Sequence, residues 1–328
     1  MRAVITGGTG FLGSHLINQL IKKGYEIVCL SRGTTDTSYI ESIRVPIIKA
    51  NITDRENIEK NIKEGDMVFH IAAILGAAKA SAEKYNEINI KGTINVLEAA
   101  IKKKARSFIF ISSFTAMGPV GSVEKPMNED TACHPDSLYG ESKLEAEKKI
   151  HEIAKGKIPC VILRPPIIYG PRTNSLSAAS MLFNNMRKKT FVIIGNTKNY
   201  FAICYVKNLA VAMVYFAEKH RTGIHTYLIT DGHSIRLEDI LLHLRKGFGV
   251  NKRIIHIPYW LPYSIAFILE LAGKVFRFSP LLSSDIVRGI ARNVYYHDIS
   301  KAINNGYKPV ATLAEGIRET AEWIKAQG

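Results

Sequence analysis

The chain has 328 residues, 46% of them hydrophobic and 22% charged, which is the composition of a globular protein with one large or two modest domains. Its formal charge of +15 is spread over short basic groups, which favours anionic small-molecule ligands or an acidic membrane surface as partners. The sequence has neither a nucleic-acid reader motif nor a stripe of aromatic and basic residues, so no nucleic-acid partner is predicted.

Apolar runs alternate with amphipathic segments through the first half of the chain. Six buried-type strands are predicted, at Ala3–Thr6, Glu26–Ser31, Pro46–Ala50, Met67–Ile71, Ser107–Ser112 and Cys160–Leu163. Helical patterns separate them at 12–23, 54–63, 84–104 and 138–156. This repetition predicts an α/β fold, a doubly wound parallel sheet of the Rossmann type, whose ligands bind at the carboxyl ends of the strands.

After Pro165 and Pro166 the pattern becomes irregular. Helices are predicted at 176–188, 207–219, 236–247, 261–276 and 312–326, with short strands near 191–194 and 226–230. We therefore predict a Rossmann domain over residues 1–165. Residues 166–328 are predicted to form a smaller, mixed α/β substrate lobe, with some segments returning to the main sheet.

The stretch from Pro258 to Phe278 is the most hydrophobic in the chain. Glu270, Lys274 and Arg277 interrupt it, so it is too short to cross a bilayer. A buried or lobe-capping helix is the favoured interpretation, because apolar segments of this length usually belong to a core. The alternative is an amphipathic helix that makes a peripheral contact with a membrane.

A glycine-rich turn with the sequence TGGTGFLG directly follows the first predicted strand. Gly7 and Gly10 allow a tight turn and a close approach to a phosphate, and Gly13 allows the next helix to pack closely on the sheet. The unpaired N–H groups of that helix, which starts with Phe11 and Leu12, would face the phosphates together with the positive end of its dipole. The turn therefore predicts a dinucleotide pyrophosphate site.

The second predicted strand ends at Ser31, and Arg32 follows it. NAD-selective folds carry a carboxylate here, which binds the ribose 2′-hydroxyl and would repel a 2′-phosphate. Serine and arginine can bind that phosphate, so NADP is the expected cofactor. NAD remains the alternative if Arg32 only stacks on the adenine. Asn51, which precedes Ile52 after the third strand, can hydrogen-bond the adenine edge.

Tyr139 and Lys143 are four residues apart in a predicted helix and therefore share one face. A lysine ammonium there is expected to lower the pKa of the tyrosine, because a nearby positive charge favours the phenolate. A phenol of near-neutral pKa can exchange a proton with a substrate hydroxyl while hydride is transferred. The alternative is that Tyr139 and Lys143 are two exposed helix residues without a function.

Ser113 follows the strand predicted at Ser107–Ser112, at the carboxyl edge of the sheet. Its hydroxyl can hydrogen-bond the same substrate oxygen that Tyr139 protonates. Ser112 is expected to face the other side as a structural residue. The alternative for Ser113 is a serine that only forms a turn.

The four cysteines and ten histidines show no pattern of a disulfide framework or a metal site. The cysteines are therefore expected to be reduced core residues, and no metal is predicted. The first strand and its glycine turn occupy the N-terminus, where a signal peptide would stand. A cytoplasmic protein is expected, with membrane association as the alternative.

Together these motifs resemble the extended short-chain dehydrogenase/reductase family, also called the NAD-dependent epimerase/dehydratase family. The resemblance covers essentially the whole chain, and its further segments are HIAA at 70–73, NIKGTINVLEAA from Asn89, ISSFTAMGP at 111–119 and RPPIIYGPR at 164–172. It implies an NAD(P)-dependent enzyme with a catalytic triad of Ser113, Tyr139 and Lys143. It also implies a homodimer through the helices at 84–104 and 138–156.

The resemblance implies further contacts with the cofactor. Lys143 would also hold the nicotinamide ribose, and Asn89 would help to orient that network. Pro166 would line the nicotinamide. Ala72 and Ala73, which end the HIAA segment, complete the expected set of cofactor-binding residues.

The second half departs from the pattern of sugar-nucleotide epimerases at two positions. Phe201 stands where those enzymes usually carry an arginine that binds the substrate diphosphate, and Asn208 replaces an aspartate. An aromatic ring cannot pair with a diphosphate. Lys198, Arg172 or Arg292 could substitute for the missing arginine, so Phe201 and Arg172 are both candidate substrate residues.

The tail resembles the 3β-hydroxysteroid dehydrogenase and dihydroflavonol reductase branch more closely. The similar segments are YWLP at 259–262, DISKA at 298–302, GYKP at 306–309 and the final helix at 315–323. Met117 and Phe114 would add an apolar wall suited to a hydrophobic alcohol or ketone.

Three functions agree with these features. The favoured one is an NADP-dependent oxidoreductase of a secondary alcohol or ketone on a ring-containing, sterol- or flavonoid-like small molecule, with Tyr139 as the acid/base. The second is a nucleotide-sugar epimerase, dehydratase or reductase. The third, a catalytically silent dinucleotide-binding regulator, is disfavoured because it would need none of Ser113, Tyr139 and Lys143.

Overall fold

Short strands alternate with helices along the chain. The computed structural model describes residues 1–78, 80–173, 182–183, 186, 191–194, 200–232, 234–250, 254–276, 284, 287 and 296–327. Within these residues the strands are β1 (Arg2–Thr6), β2 (Glu26–Ser31), β3 (Ile47–Lys49), β4 (Met67–His70), β5 (Ser107–Ile111), β6 (Cys160–Arg164), β7 (Ile167–Tyr169), β8 (Phe191–Ile194), β9 (Tyr200–Phe201), β10 (Ile203–Tyr205), β11 (Ile224–Leu228), β12 (Ile235–Arg236) and β13 (Ile254–Ile257). The helices are α1 (Phe11–Lys22), α2 (Ser38–Ser42), α3 (Arg55–Asn61), α4 (Ala82–Tyr85), α5 (Gly92–Lys102), α6 (Leu138–Ala154), α7 (Val206–Lys219), α8 (Leu237–Phe248), α9 (Trp260–Phe276), α10 (Ser300–Asn304) and α11 (Leu313–Ala326).

Seven parallel strands form the central sheet in the spatial order β11-β6-β5-β4-β1-β2-β3. The six strands predicted in the first half are all present, each within one residue of its predicted bounds. The strand order reverses between β1 and β4, which makes this the switch point where open α/β sheets bind ligands. The predicted doubly wound Rossmann fold is therefore confirmed.

Two apolar layers cover the faces of the sheet. Along β1, Ile5 faces the layer that contains α1 and α7, whereas Val4 faces the layer that contains α3, α5 and α6. This alternation is what a strand buried on both faces requires. The first layer continues through Tyr205, Leu241 and Ile317, so the second half of the chain shares a core with the first.

Segments of the second half return to the main sheet and add short pairs of strands. β11 extends the sheet beside β6. β7 pairs with β10, β8 with β13, and β9 with β12. The predicted helices at 207–219, 236–247 and 312–326 are present as α7, α8 and α11. The helix predicted at 176–188 falls largely outside the described residues.

The helix predicted at 84–104 is interrupted by a wider turn. After α4, residues Asn86–Lys91 form a π-helix, and α5 begins only at Gly92. Asn89 lies inside this segment and is almost completely buried. π-Helical turns are rare and are frequently found at functional sites.

Helix α9 is exposed on one side, so it is not the fully buried helix that was one form of the favoured interpretation, whereas a helix that caps the second lobe agrees with this exposure. Trp260 and Ile268 are each 64% exposed and Leu271 is 58% exposed, whereas the small residue Ala266 is fully buried. No helix within the described residues has both the length and the hydropathy that crossing a bilayer requires.

Two glycines with the same backbone conformation provide a matched test of the glycine-rich turn. Gly7 has a φ of +74°, and a Cβ there would lie 2.8 Å from the Ala72 nitrogen. Gly24 has a φ of +73°, and nothing lies within 4 Å of the position of its Cβ. Only Gly7 is therefore restricted by its surroundings as well as by its conformation.

We expect Gly24→Ala to lower the free energy of unfolding by about 1 kcal/mol, because only the left-handed conformation is strained. Gly7→Ala is expected to cost about 2 kcal/mol more, because the backbone at Ala72 must also move. Urea denaturation of the two variants measures this difference. Equal losses would contradict a turn that is packed rigidly against the end of β4.

Candidate active site

The carboxyl ends of three neighbouring strands bring most of the predicted residues to one edge of the sheet. The glycine-rich turn follows β1, Ala72 and Ala73 follow β4, and Ser113 follows β5. The Ala72 N–H donates a hydrogen bond of 3.2 Å to the Thr6 carbonyl oxygen, which holds the end of β4 against the turn. These residues therefore meet at the switch point of the sheet.

The N-terminus of α1 has the features of a phosphate-binding site. Gly10 precedes the helix, and neither a side-chain cap nor an acidic residue occupies its first turn. The first N–H groups, including those of Phe11 and Leu12, are therefore available to an anion. Gly13 packs so closely that a Cβ there would clash with the Gly7 carbonyl oxygen. This cradle fits the pyrophosphate of a dinucleotide.

Positive charge lies at the end of β2. Ser31 is buried and accepts a hydrogen bond of 3.2 Å from the Gly33 N–H, whereas Arg32 is exposed. The Lys49 side chain lies beside Gly33. The nearby carboxylate of Asp36 accepts a backbone hydrogen bond of 2.9 Å at the start of α2. Two cations, a serine and the carboxylate of Asp36 therefore lie around the position where the sequence predicts the adenosine ribose.

Asn51 and Ile52 follow β3 at the same edge. Asn51 is exposed, and its Oδ1 accepts a hydrogen bond of 3.2 Å from the Thr53 N–H. Ile52 is buried and packs so closely on Gly92 that a Cβ there would lie 2.7 Å from its Cδ1. The contact between Asn51 and the adenine stays a prediction.

Helix α6 docks on the turn that follows β5 and carries Tyr139 to Ser113. The Ser137 hydroxyl caps the helix by accepting a hydrogen bond of 3.2 Å from the Gly140 N–H. A Cβ at Gly140 would clash with the Thr115 carbonyl oxygen, so only glycine allows this approach. The Ser113 hydroxyl accepts hydrogen bonds from the Thr115 N–H at 3.2 Å and from the Thr115 hydroxyl at 2.9 Å, and it lies close enough to the Tyr139 phenol to affect its pKa. Two residues that are far apart in the sequence thus face one substrate position.

Lys143 is buried beneath this pair. Its ammonium donates a hydrogen bond of 2.8 Å to the Ile111 carbonyl oxygen at the end of β5. The ammonium nitrogen lies 4.8 Å from the centre of the Phe110 ring and 6.0 Å from the centre of the Tyr139 ring. Burial lowers the pKa of Lys143 to about 7, although the negative charge of Glu147 acts in the opposite direction.

The expectation of a lowered pKa for Tyr139 is wrong for the protein without a ligand. Burial raises the pKa of Tyr139 to about 12, and the interaction with the nearby Ser113 side chain offsets only part of that rise. The ammonium of Lys143 is bonded to the Ile111 carbonyl oxygen instead of the phenol. Tyr139 is therefore a protonated phenol at neutral pH.

Asn89 connects the loop after β4 to the helix that carries Tyr139. Its Oδ1 accepts a hydrogen bond of 2.8 Å from the Ile74 N–H, and its Nδ2 donates to the Ile74 carbonyl oxygen at 3.0 Å. The same Nδ2 lies 3.0 Å from the Ser142 hydroxyl, which donates to the Tyr139 carbonyl oxygen at 2.7 Å. Asn89 therefore ties the loop after β4 to α6 through buried hydrogen bonds, and its role in orienting the site stays a prediction.

His70 is part of the site but was not assigned a role from the sequence. Its Nδ1 lies 2.7 Å from the Thr6 hydroxyl and its Nε2 lies 2.9 Å from the Thr93 hydroxyl, which donates to the Asn89 carbonyl oxygen. Burial lowers the pKa of His70 to about 3, and the charge of Lys143 contributes. The neutral ring thus links β1 to the π-helix. In the sequence, the place of His70 in the HIAA segment was the feature that could have indicated this role.

A buried ion pair lies behind Lys143 and was also missed from the sequence. The Glu147 carboxylate accepts hydrogen bonds from Arg164 Nε at 3.0 Å and Nη2 at 2.6 Å, and a third from the Ser112 hydroxyl. The prediction that Ser112 faces away from the site as a structural residue is thereby confirmed. Glu147 and Lys143 are four residues apart on α6, which brings opposite charges together in the core.

The match to a known family agrees with this geometry. The model of the NAD-dependent epimerase/dehydratase family matches residues 3–230. The chain belongs to this family. Its members include NAD-dependent enzymes, and the predicted resemblance to extended short-chain dehydrogenases is confirmed.

Relatives within the epimerase/dehydratase family fall into both predicted branches. A sterol-4-alpha-carboxylate 3-dehydrogenase from Dictyostelium discoideum is 27% identical, over 96% of this chain and 98% of that protein. A UDP-glucose 4-epimerase from Vibrio cholerae is 29% identical, over 97% of this chain and 94% of that protein. The crystal structure of a UDP-glucuronic acid 4-epimerase from Bacillus cereus in complex with NAD has a TM-score of 0.78 at 26% identity, over 100% and 99% of the two chains.

Met117 is fully buried and packs in a small apolar cluster with Phe114 and Leu228. Pro166 follows β6 and is half-buried, and the preceding Pro165 accepts a hydrogen bond of 2.9 Å from the Phe114 N–H. Direct contacts of Met117 with a substrate and of Pro166 with the nicotinamide stay predictions.

The two other candidate substrate residues lie apart from Tyr139. Phe201 is in β9, opposite Ile235, and packs partly against the core. Arg172, in the left-handed conformation with a φ of 64°, reaches the first turns of α1, where its Nε donates to the Ser14 hydroxyl at 3.2 Å. Its guanidinium carbon is 3.9 Å from the centre of the Tyr39 ring. Arg172 therefore lies on the side of the phosphate cradle.

Asn208 is a structural residue, so its difference from the aspartate of the sugar-nucleotide epimerases carries no information about the substrate. Its Oδ1 accepts hydrogen bonds from the Val310 and Ala311 N–H groups at 2.9 and 3.0 Å, and its Nδ2 donates to Asp231 at 2.8 Å. It is fully buried. Lys198 and Arg292, the other candidates for a diphosphate contact, lie outside the described residues.

Lys143→Met is expected to stabilise the ligand-free protein. The folded protein holds Lys143 with a pKa of about 7 because the ammonium is desolvated, and Met fills a similar volume without that cost. We expect the free energy of unfolding at neutral pH to rise by about 2 kcal/mol, measured by urea denaturation.

The pH dependence of this gain provides the control. The pKa of Lys143 is about 7 in the folded protein, against the ordinary value of 10.5, so the unfolded chain binds more protons between these values. Stability of the unaltered protein therefore increases with pH in this window relative to the variant, and the advantage of Lys143→Met shrinks. A gain that stays constant as pH rises would contradict the lowered pKa.

Proposed function

We propose that this chain is an NADP-dependent oxidoreductase that transfers hydride between nicotinamide C4 and a secondary alcohol or ketone of an apolar, ring-containing small molecule. The main support is that Ser113 and Tyr139 lie near each other above the buried Lys143, at the sheet edge where the phosphate cradle opens. A protein that only senses a dinucleotide would need no proton donor at this position.

Each residue has one role in the proposed reaction. The dinucleotide supplies the hydride when it is bound. Tyr139, which is protonated at neutral pH, donates the phenolic proton to the substrate oxygen as the carbonyl becomes an alcohol. Ser113 orients that oxygen by a hydrogen bond. The cation of Lys143 would stabilise the phenolate that Tyr139 leaves.

NADP is the proposed cofactor because cations line the route of the dinucleotide. Arg32 and Lys49 flank the end of β2, and Arg172 adds a third cation beside the first turns of α1. The Nη2 of Arg172 is buried and has no hydrogen-bond partner among the described residues, as expected for a group that awaits an anion. We therefore propose that Arg172 contacts the cofactor rather than the substrate.

An apolar substrate is proposed because exposed leucines flank Tyr139. Leu138, directly before Tyr139, is 46% exposed, and Leu75 is 57% exposed. Leu75 adjoins Gly76, where a Cβ would lie 3.3 Å from Tyr139 Cδ1. The similarity to a sterol dehydrogenase agrees with this class of substrate. A nucleotide-sugar epimerase is the second candidate, supported by the similarity to the Vibrio cholerae enzyme.

A panel of substrates distinguishes the two candidates. We expect oxidation or reduction of cyclic, sterol-like alcohols or ketones, followed by the absorbance of the reduced nicotinamide. Conversion of UDP-glucose to UDP-galactose without net cofactor turnover would overturn the first candidate in favour of the second.

A homodimer through α5 and α6 is proposed by family resemblance alone and is checked by light scattering.

Tyr139→Phe is expected to reduce turnover by at least about 100-fold, because it removes the proton donor. Dinucleotide binding should stay near normal, since the ring and its packing are retained. Tyr85→Phe is the matched control, because its ring centre lies 6.2 Å from that of Tyr139 and its hydroxyl bonds the Leu75 carbonyl oxygen. If both variants kept most of the rate, Tyr139 would not be the acid.

Arg32→Ala is expected to weaken NADP binding about tenfold and to leave NAD binding within about twofold, because only NADP carries the 2′-phosphate. Fluorescence titration with both reduced cofactors at constant ionic strength measures this. Arg44→Ala, another exposed arginine, controls for the loss of net charge. A preference of the unaltered protein for NAD would contradict the assignment.

A further inference from the structure

The outward face of α9 consists of large apolar side chains. Its exposed members are Trp260, Leu261, Ile265, Phe267, Ile268 and Leu271. They recur at helical spacing over about three turns, so they form one continuous stripe. Single exposed apolar residues are common on proteins, but a contiguous apolar patch of this kind marks an interaction site.

The inward face of α9 carries the small and polar residues. Pro262, Ala266 and Gly273 are buried. Glu270 is bonded to Ser284, whose N–H donates at 2.8 Å and whose hydroxyl donates at 2.9 Å. The large apolar residues of α9 therefore face outward, which is the opposite of the usual arrangement in a surface helix. Contact of so much apolar surface with water is unfavourable.

The flanking sequence is strongly basic. Between residues 245 and 292 the chain has eight basic and only two acidic residues, Glu270 and Asp285. Glu270 lies on the inward face, where Ser284 satisfies it. An apolar stripe with basic flanks complements a surface that offers both hydrocarbon and negative charge, which is the combination found in an anionic lipid bilayer.

Aromatic residues stand at the start of the helix. The rings of Tyr259 and Tyr263 stack with centres 5.3 Å apart, next to the exposed Trp260. Tyrosine and tryptophan prefer the boundary between hydrocarbon and water, because each combines an apolar ring with a polar group. This end of α9 is therefore suited to the level of the lipid headgroups.

We propose that α9 lies flat on the surface of an anionic lipid membrane, with its outward face inserted among the acyl chains. The docking itself does not rest on the proposed reaction. One consequence of docking rests on the proposed reaction. An apolar substrate of the class proposed above dissolves in the same bilayer, so docking would bring the enzyme to its substrate.

Sedimentation with lipid vesicles tests the proposal. The full chain is expected to bind vesicles of phosphatidylcholine and phosphatidylglycerol, with an affinity that falls as salt increases, and to bind pure phosphatidylcholine much more weakly. Phe267→Ser combined with Ile268→Ser should lower the affinity for the mixed vesicles by about 100-fold, because two large apolar side chains no longer insert. Thermal unfolding and dinucleotide binding of this variant should be unchanged.

Leu242→Ser is the matched control, because Leu242 on α8 is also about half exposed but lies outside the stripe. It should bind vesicles as well as the unaltered protein does. The chain has two tryptophans, so a Trp323→Phe background isolates the emission of Trp260. That emission should shift to shorter wavelength on mixed vesicles.

Three results would overturn the proposal. The first is the absence of vesicle binding, and the second is equal binding by the double variant and the control. The third is a dimer of the unaltered protein that the double variant converts to a monomer, without vesicle binding by either, which would assign the stripe to a second copy of the chain. The two proposals fail independently. A protein that turns over its substrate but does not bind vesicles would overturn only the membrane docking, and one that binds vesicles without turnover would overturn only the proposed reaction.

Discussion

The buried ammonium of Lys143 is the interaction on which the candidate site depends. It reaches the last carbonyl oxygen of β5 only because α6 docks directly on the turn after that strand, where Gly140 leaves no Cβ to hold the backbones apart. Desolvation of the ammonium is costly, and the position would favour an apolar side chain if stability alone mattered. A buried, destabilising cation beside a phenol is the pattern of a site selected for chemistry.

Polar groups from several strands and helices surround Lys143 and form hydrogen bonds with one another. His70 and Asn89 join the first strand, the π-helix and α6 through hydrogen bonds, and Glu147 with Arg164 places a compensated pair of charges below the lysine. Buried polar networks are favourable only when their members are satisfied, and then they define a single geometry. The orientation of Tyr139 therefore follows from contacts that reach well beyond the residues that would touch a substrate.

Much of the fold and site could be predicted because both depend on local patterns. Buried parallel strands are continuous apolar runs in the sequence. Reactive residues that directly follow such runs must meet at one edge of the sheet. The pKa of Tyr139 could not be predicted, since spacing on a helix does not show how deeply the phenol is buried. The orientation of α9 could not be decided between a helix packed on the core and one with an outward apolar face, because hydropathy does not tell which face packs on the protein. Arg172 lies beside α1 through a left-handed residue that sequence periodicity does not reveal.

The central claim is that Tyr139 and Ser113 serve net hydride transfer to a carbonyl carbon. The most direct measurement uses NADPH deuterated at nicotinamide C4 with a cyclic ketone, and mass spectrometry of the product. The account predicts one deuterium on the new carbinol carbon, with the accompanying proton exchangeable and derived from the protein. An alcohol product without deuterium would contradict it, and so would epimerisation of a UDP-sugar in which the hydride taken from the substrate is returned to the substrate.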